Sequence, residues 1–243
     1  MIILPACKFS NKKKEIKQDL LLCAYIEKQI KWHQYHSGRN WVEDRLVDVM
    51  TEPCICTKMG NSNDVLLQIS TAYVIPEEIY EIKNLTHFSL VGFYGKVPEW
   101  DKFTNFGFKY LKFDQFHSID KSRNIYLYGK KFSNLEELVI YNTDTITLSK
   151  EVNFVELRLS GFRSYIKLKG RIFKNTKKIH ISVHKYCIDD IDLTCFPKLQ
   201  ELEISVSNLC SADSLYIRHT FLEAMKKNSS IKKLRYNDII LKK

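Results

Sequence analysis

The sequence predicts an α/β solenoid: a curved parallel β-sheet, backed by short irregular convex segments and closed at its N-terminal end by a helical cap. The first observation is a recurring frame of apolar, two free residues, apolar, one free residue, apolar. It reads Leu85, Phe88, Leu90, then Phe108, Leu111, Phe113, then Leu135, Leu138, Ile140. It continues as Phe154, Leu157, Leu159; Thr176, Ile179, Ile181; Leu199, Leu202, Ile204; and Ile231, Leu234, Tyr236. The second observation is the period. Frames starting at 85, 108, 135, 154, 176, 199 and 231 step by 23, 27, 19, 22, 23 and 32 residues. Steps of roughly 20 to 29 residues mark solenoids whose strands stack into one parallel sheet. The third is a stripe at helical spacing, Ile16, Leu20, Cys23, Ile26 and Ile30, placed before the first frame.

These observations divide the chain into a helical cap over 1–60 and a solenoid of about seven repeats over 61–243. Lys8, Lys12, Lys13, Lys14 and Lys17 read as a solvated tail or helix start. Leu21, Leu22 and Tyr25 widen the apolar stripe, so a second element is expected against it. That element is a shorter helix over 41–50, with Asn40 and Glu43 as a capping box, Val42, Leu46 and Val49 on one side, and Pro53 beyond its end. A cap has a physical purpose, since the first strand of a solenoid would otherwise expose the core and an unpaired edge. After the turn at 60–64, Val65 and Leu67 form a degenerate first strand. Convex segments are read as extended or 3₁₀ turns, with a small extra strand at 125–128. A helix over 212–227 accounts for the long last step, and 239–241 is the remaining material to cover the final strand.

Ile75-Pro-Glu-Glu-Ile79-Tyr-Glu-Ile82-Lys-Asn-Leu85-Thr-His-Phe88-Ser-Leu90 resembles a repeat end and following strand of the leucine-rich repeat family. Phe196-Pro-Lys-Leu199-Gln-Glu-Leu202-Glu-Ile204 resembles it as well, and the resemblance runs over 62–243. The family usually carries Asn or Cys three residues after the last strand position, bonding backbone between turns. Here those places hold Phe93, Phe116, Thr143, Phe162, His184, Ser207 and Ile239, so the expected horseshoe is irregular.

Hydrophobic residues at 44% and charged residues at 27% describe an ordinary globular protein. No apolar stretch reaches the roughly 18 residues of a membrane span, and residues 1–7 lack the basic start and apolar core of a signal peptide. Seven cysteines, an odd number, are read as reduced thiols in the cytoplasm. Few glycines beside abundant Lys, Asn, Ile, Phe and Tyr indicate AT-rich coding, a bias of some viruses and intracellular parasites.

No phosphate loop, nucleophile elbow or H-E-x-x-H sequence is present, so neither catalysis nor a cofactor is expected. His33, His36, Cys54 and Cys56 are the one set with metal-ligand chemistry. Cys-x-Cys is tighter than zinc sites use, so these are read as structural residues and no metal is expected. The remaining cysteines are read as small core residues.

A net charge of +10 raises nucleic acid as a partner. Outward positions of the concave sheet test this, because residues alternate faces along a strand. The third frame position reads His87, Tyr110, Glu137, Glu156, Lys178, Glu201, Lys233. The fifth reads Ser89, Lys112, Val139, Arg158, His180, Glu203, Arg235. From Glu156 onward the signs alternate and neutralise one another, whereas a phosphate groove needs one sign. The excess lysines lie elsewhere and look scattered.

The family resemblance implies a non-enzymatic protein that binds another protein on its concave face. The expected contact residues are His87, Val91, Tyr110, Lys112, Val139 and Tyr141, where aromatic and aliphatic side chains replace charge. Two alternatives remain: a basic nucleic-acid-binding protein, and a substrate adaptor of a ubiquitin ligase. Ile3-Leu4-Pro5 before an apolar helix is similar to the F-box opening, but Ala6-Cys7-Lys8 stands where acidic residues belong.

Overall fold

The computed structural model describes residues 6–36, 54–60, 62–70, 75–92, 94–105, 107–114, 117–118, 124–141, 145–161, 166–167, 172–184, 193–207, 228–236 and 239–242. Helix α1 spans Ala6–His36 and incorporates the lysine run in its first turns. Three strands follow: β1 Cys54–Lys58, β2 Val65–Ser70 and β3 Leu85–Val91. The chain continues through β4 Tyr94–Gly95, β5 Tyr110–Asp114, β6 His117–Ser118, β7 Asn124–Leu127 and β8 Leu135–Tyr141. Then come β9 Thr145–Leu148, β10 Phe154–Gly161, β11 Ile166–Lys167, β12 Lys178–His184, β13 Glu201–Ser207, β14 Lys233–Tyr236 and β15 Ile239–Lys242. The expected helices over 41–50 and 212–227 lie outside the described residues.

The frame residues make one ten-stranded sheet in the order β1-β2-β3-β5-β8-β10-β12-β13-β14-β15. From β2 to β14 every pairing is parallel. The register aligns the frames: Phe88 faces Leu111, Leu111 faces Leu138, and Leu138 faces Leu157. Their side chains point inward and are fully buried, as are Leu90, Phe113 and Ile140. The result is a mostly parallel, curved β-solenoid with an N-terminal helix.

Both ends of the sheet are closed by an antiparallel strand. β15 covers β14, with Leu241 opposite Leu234. At the other end β1, which the frame does not contain, covers β2 with Cys56 opposite Leu67. Helix α1 packs behind this edge and adds Ile16, Cys23, Ile26 and Ile30 to the same core. On the convex side 3₁₀ turns at Glu77–Glu81, Trp100–Lys102, Lys130–Phe132 and Leu193–Cys195 link the strands. A second parallel sheet, β11-β9-β7, forms the back wall over 124–167. Its core-facing Ile125 and Ile146 are buried, in the register Ile125, Ile146, Ile166.

Between the walls the core is aromatic. Trp100 is 1% exposed and donates its indole N–H to Tyr126 O at 3.0 Å, with Phe88, Phe103, Phe108 and Phe132 around it. Further along, the rings of Phe154, Phe173 and Phe196 stack at 4.9 and 5.4 Å. Aromatic bulk fills the space between the walls, and the described convex segments are short 3₁₀ turns and strands. A polar tie between turns also exists, at the strand entry rather than after the exit. Asn105 Nδ2 donates to Leu85 O at 2.7 Å, Thr176 Oγ1 to Phe154 O at 2.9 Å, and Ser230 Oγ to Leu199 O at 2.7 Å. Each accepting carbonyl belongs to the first frame residue of the preceding repeat.

One expectation is corrected. Cys23 of α1 and Cys56 of β1 form a disulfide, with Cα atoms 5.4 Å apart. The cysteines are therefore not all reduced thiols, and the cytoplasmic assignment fails. Such bonds persist in oxidising compartments and are removed by the reducing pools of the cytosol. Cys23 had been read as a small core residue; it is buried, but covalently paired.

Candidate concave binding face

The two outward columns stand in register as the frame requires. His87, Tyr110, Glu137, Glu156, Lys178, Glu201 and Lys233 form one row across seven strands. Ser89, Lys112, Val139, Arg158, His180, Glu203 and Arg235 form the next. A third row contains Val91, Asp114, Tyr141 and Ser160.

In the C-terminal half these rows form an ion-pair lattice. Arg158 Nε lies 2.6 Å from Glu137 Oε1, and its NH2 lies 2.7 Å from Glu156 Oε1. Burial works against the Arg158 charge, but the Glu137 and Glu156 carboxylates outweigh it and raise its pKa. His180 sits between Glu156 and Glu203, each ring nitrogen 3.2 Å from a carboxylate oxygen. Arg235 then reaches Glu203 at 3.3 Å. A partner docking here would have to desolvate ions that already satisfy one another.

The N-terminal half is different. The rings of His87 and Tyr110 stack, 6.0 Å apart and 20° from parallel. Lys112 places Nζ 5.7 Å from the centre of the Tyr141 ring and 3.0 Å from Asp114. Val91 and Tyr141 are half-buried, whereas Val139 is only 3% exposed. Ser89 is likewise 3% exposed, and its Oγ has no hydrogen-bond partner. Burial, followed by the negative charge of Glu137, pushes the Tyr110 phenol up to about 12. Burial also lowers the His87 pKa, against the opposing pull of Asp64. Both groups are therefore neutral at physiological pH, and this half presents a neutral, partly aromatic surface.

The structure thus brings five of the six predicted contact residues to one accessible region and tucks Val139 beneath it. Residues missed from the sequence are Ser89, Asp114 and Asp64. Asp64 enters from the β1–β2 turn and holds Lys109 at 2.6 Å beside His87. Burial alone would raise the Asp64 pKa, but the Lys109 hydrogen bond and charge outweigh it and lower it. The metal-ligand reading of Cys56 is excluded by its disulfide, and the side chains of His33 and His36 lie outside the described residues. Among the described residues, no group of three His, Cys, Asp or Glu is placed to hold a metal ion. No described helix is long and apolar enough to cross a membrane.

Fold and surface together define a mostly parallel β-solenoid with an N-terminal helix and a two-part concave face. No protein-family model, curated protein or solved structure matches the chain.

Proposed function

We propose that this protein is a non-enzymatic scaffold of leucine-rich-repeat type, which binds a protein partner on the N-terminal half of its concave face. One observation carries the reading: the concave rows split into a self-satisfied ion lattice and a neutral surface built on the stacked His87 and Tyr110. Val91, Lys112 and Tyr141 complete that surface, with Val139 buried beneath it. Aromatic side chains with polar neighbours lose little on desolvation and are enriched at the centres of protein interfaces.

The adaptor alternative gains no support, because α1 is bonded into the solenoid end by its disulfide and by its buried residues. The test uses parallel affinity captures from the native host. The baits are the wild-type chain, a Tyr110→Ala/Tyr141→Ala variant and a Glu201→Ala variant. A protein retained by the wild type and Glu201→Ala but lost with the tyrosine variant supports the reading. Retention by the tyrosine variant with loss at Glu201→Ala would move the site to the charged half.

A further inference from the structure

The lysines that look scattered along the chain are gathered by the repeat. Below β12, β13 and β14 the backbone ladder continues by one residue: Gln200 N–H donates to Lys177 O, and Lys232 N–H to Gln200 O, both at 2.8 Å. Lys177 and Lys232 therefore flank Gln200 on successive strands. Lys174 and Lys198 stand in the turns entering β12 and β13, beside Phe173 and Phe196, whose rings stack with centroids 5.4 Å apart. All four of these lysines are exposed, and none has a carboxylate partner among the described residues. One step further up, Lys178 and Lys233 share a single acid, Glu201, at 4.0 and 3.9 Å.

Among the described residues, four lysines without a carboxylate partner thus line the entry rim of three adjacent strands, next to the Lys178–Glu201–Lys233 row. Strands lie roughly 4.8 Å apart, so Lys177 and Lys232 are separated by about 10 Å across the rim. This is one sign of charge in a line running across the strands, unlike the paired lattice of the concave face. It fits a linear polyanion.

We infer that this rim binds a sulfated polysaccharide. The Cys23–Cys56 disulfide selects among polyanions, because it belongs to an oxidising compartment, where sulfated glycans rather than nucleic acids are the resident polyanions. The rim chemistry agrees. Its cations among the described residues are lysines acting as point charges rather than the arginine forks that read phosphate bidentately. Its aromatic rings, Phe173 and Phe196, are buried and offer no platform for bases.

The test is titration of the full chain with heparin at about 0.15 M salt. The rim variant is Lys177→Gln/Lys198→Gln/Lys232→Gln. The control, equal in charge lost, is Lys28→Gln/Lys58→Gln/Lys96→Gln, also exposed positions. The rim variant should bind at least about tenfold more weakly, and the control within about twofold of wild type. Thermal unfolding of both variants should match wild type, since no substituted side chain is buried. Equal losses in the two variants would overturn the inference by reducing it to net charge. Undiminished binding of desulfated heparin would overturn it. So would duplex DNA that binds as tightly and depends on the same three lysines.

Discussion

Asp19 of α1 holds Asn84 of the solenoid twice: its Oδ2 accepts the Asn84 main-chain N–H at 3.0 Å and the side-chain Nδ2–H at 2.7 Å. Its other oxygen accepts Lys83 N–H at 3.2 Å, and the carboxylate is 2% exposed. The helix therefore satisfies the turn that starts β3, besides covering the end of the core. Asp19→Ala would strand buried donors and should cost about 1.5–3 kcal/mol in urea unfolding. Unchanged stability would mean that water replaces the carboxylate, and that the helix is not anchored by it.

The disulfide makes a separate contribution. It joins residues 33 apart in sequence and restricts the unfolded chain. Cys23→Ser/Cys56→Ser should lower stability by about 2–4 kcal/mol relative to the oxidised wild type. Adding reductant to the wild type should reproduce that loss and leave the double variant unaffected. A wild type indifferent to reductant would restore the reduced state as the native one.

Core and rim positions of one strand should respond very differently. Leu138 is fully buried beneath the sheet, so Leu138→Ala should cost about 2–5 kcal/mol through lost burial and a cavity. Glu137 is its neighbour on the outer face and pairs with Arg158 while 27% of its side chain stays exposed. Glu137→Ala should cost only about 0–1 kcal/mol. Similar losses in chemical denaturation would count against the register.

Alkaline pH tests the burial of Tyr110. Its folded pKa of about 12 lies above the ordinary value of 10.0, so folding favours the neutral phenol. That contribution is complete below pH 10.0 and disappears as the pH rises through about 12. Stability of the wild type relative to Tyr110→Phe should therefore fall across that interval, because the variant lacks the group that ionises. Measuring urea unfolding of both at several pH values checks this. Parallel curves would show that Tyr110 is solvated as freely in the fold as in the unfolded chain.

Much of the architecture is written in local pattern. Leu138 and Ile140 define the inward face, and a side-chain period of two then sends Glu137 and Val139 outward. From that alone the rows His87–Tyr110–Glu137 and Lys112–Val139–Arg158 follow, and the structure pairs them strand by strand. Strand β9 was less legible, because Thr145–Leu148 is short and holds no frame. Its partner β7 was visible only as a stray extended segment. β1 was hidden for another reason: an antiparallel edge strand follows no repeat period, and Cys54 and Cys56 were weighed with His33 and His36 as a metal set rather than as part of a strand.

The sequence by itself determined the period, the inward faces and the alternation of charge across the C-terminal rows, because each depends on residues close together in the chain. Tertiary structure alone decided which distant residues meet. It bonded Cys23 to Cys56, buried Val139 within an outward row, and placed Lys177 and Lys232 on either side of Gln200. The physical reason is common to all three. Spacing along a strand sets which way a side chain points, but the stacking of strands roughly 4.8 Å apart sets what it points beside.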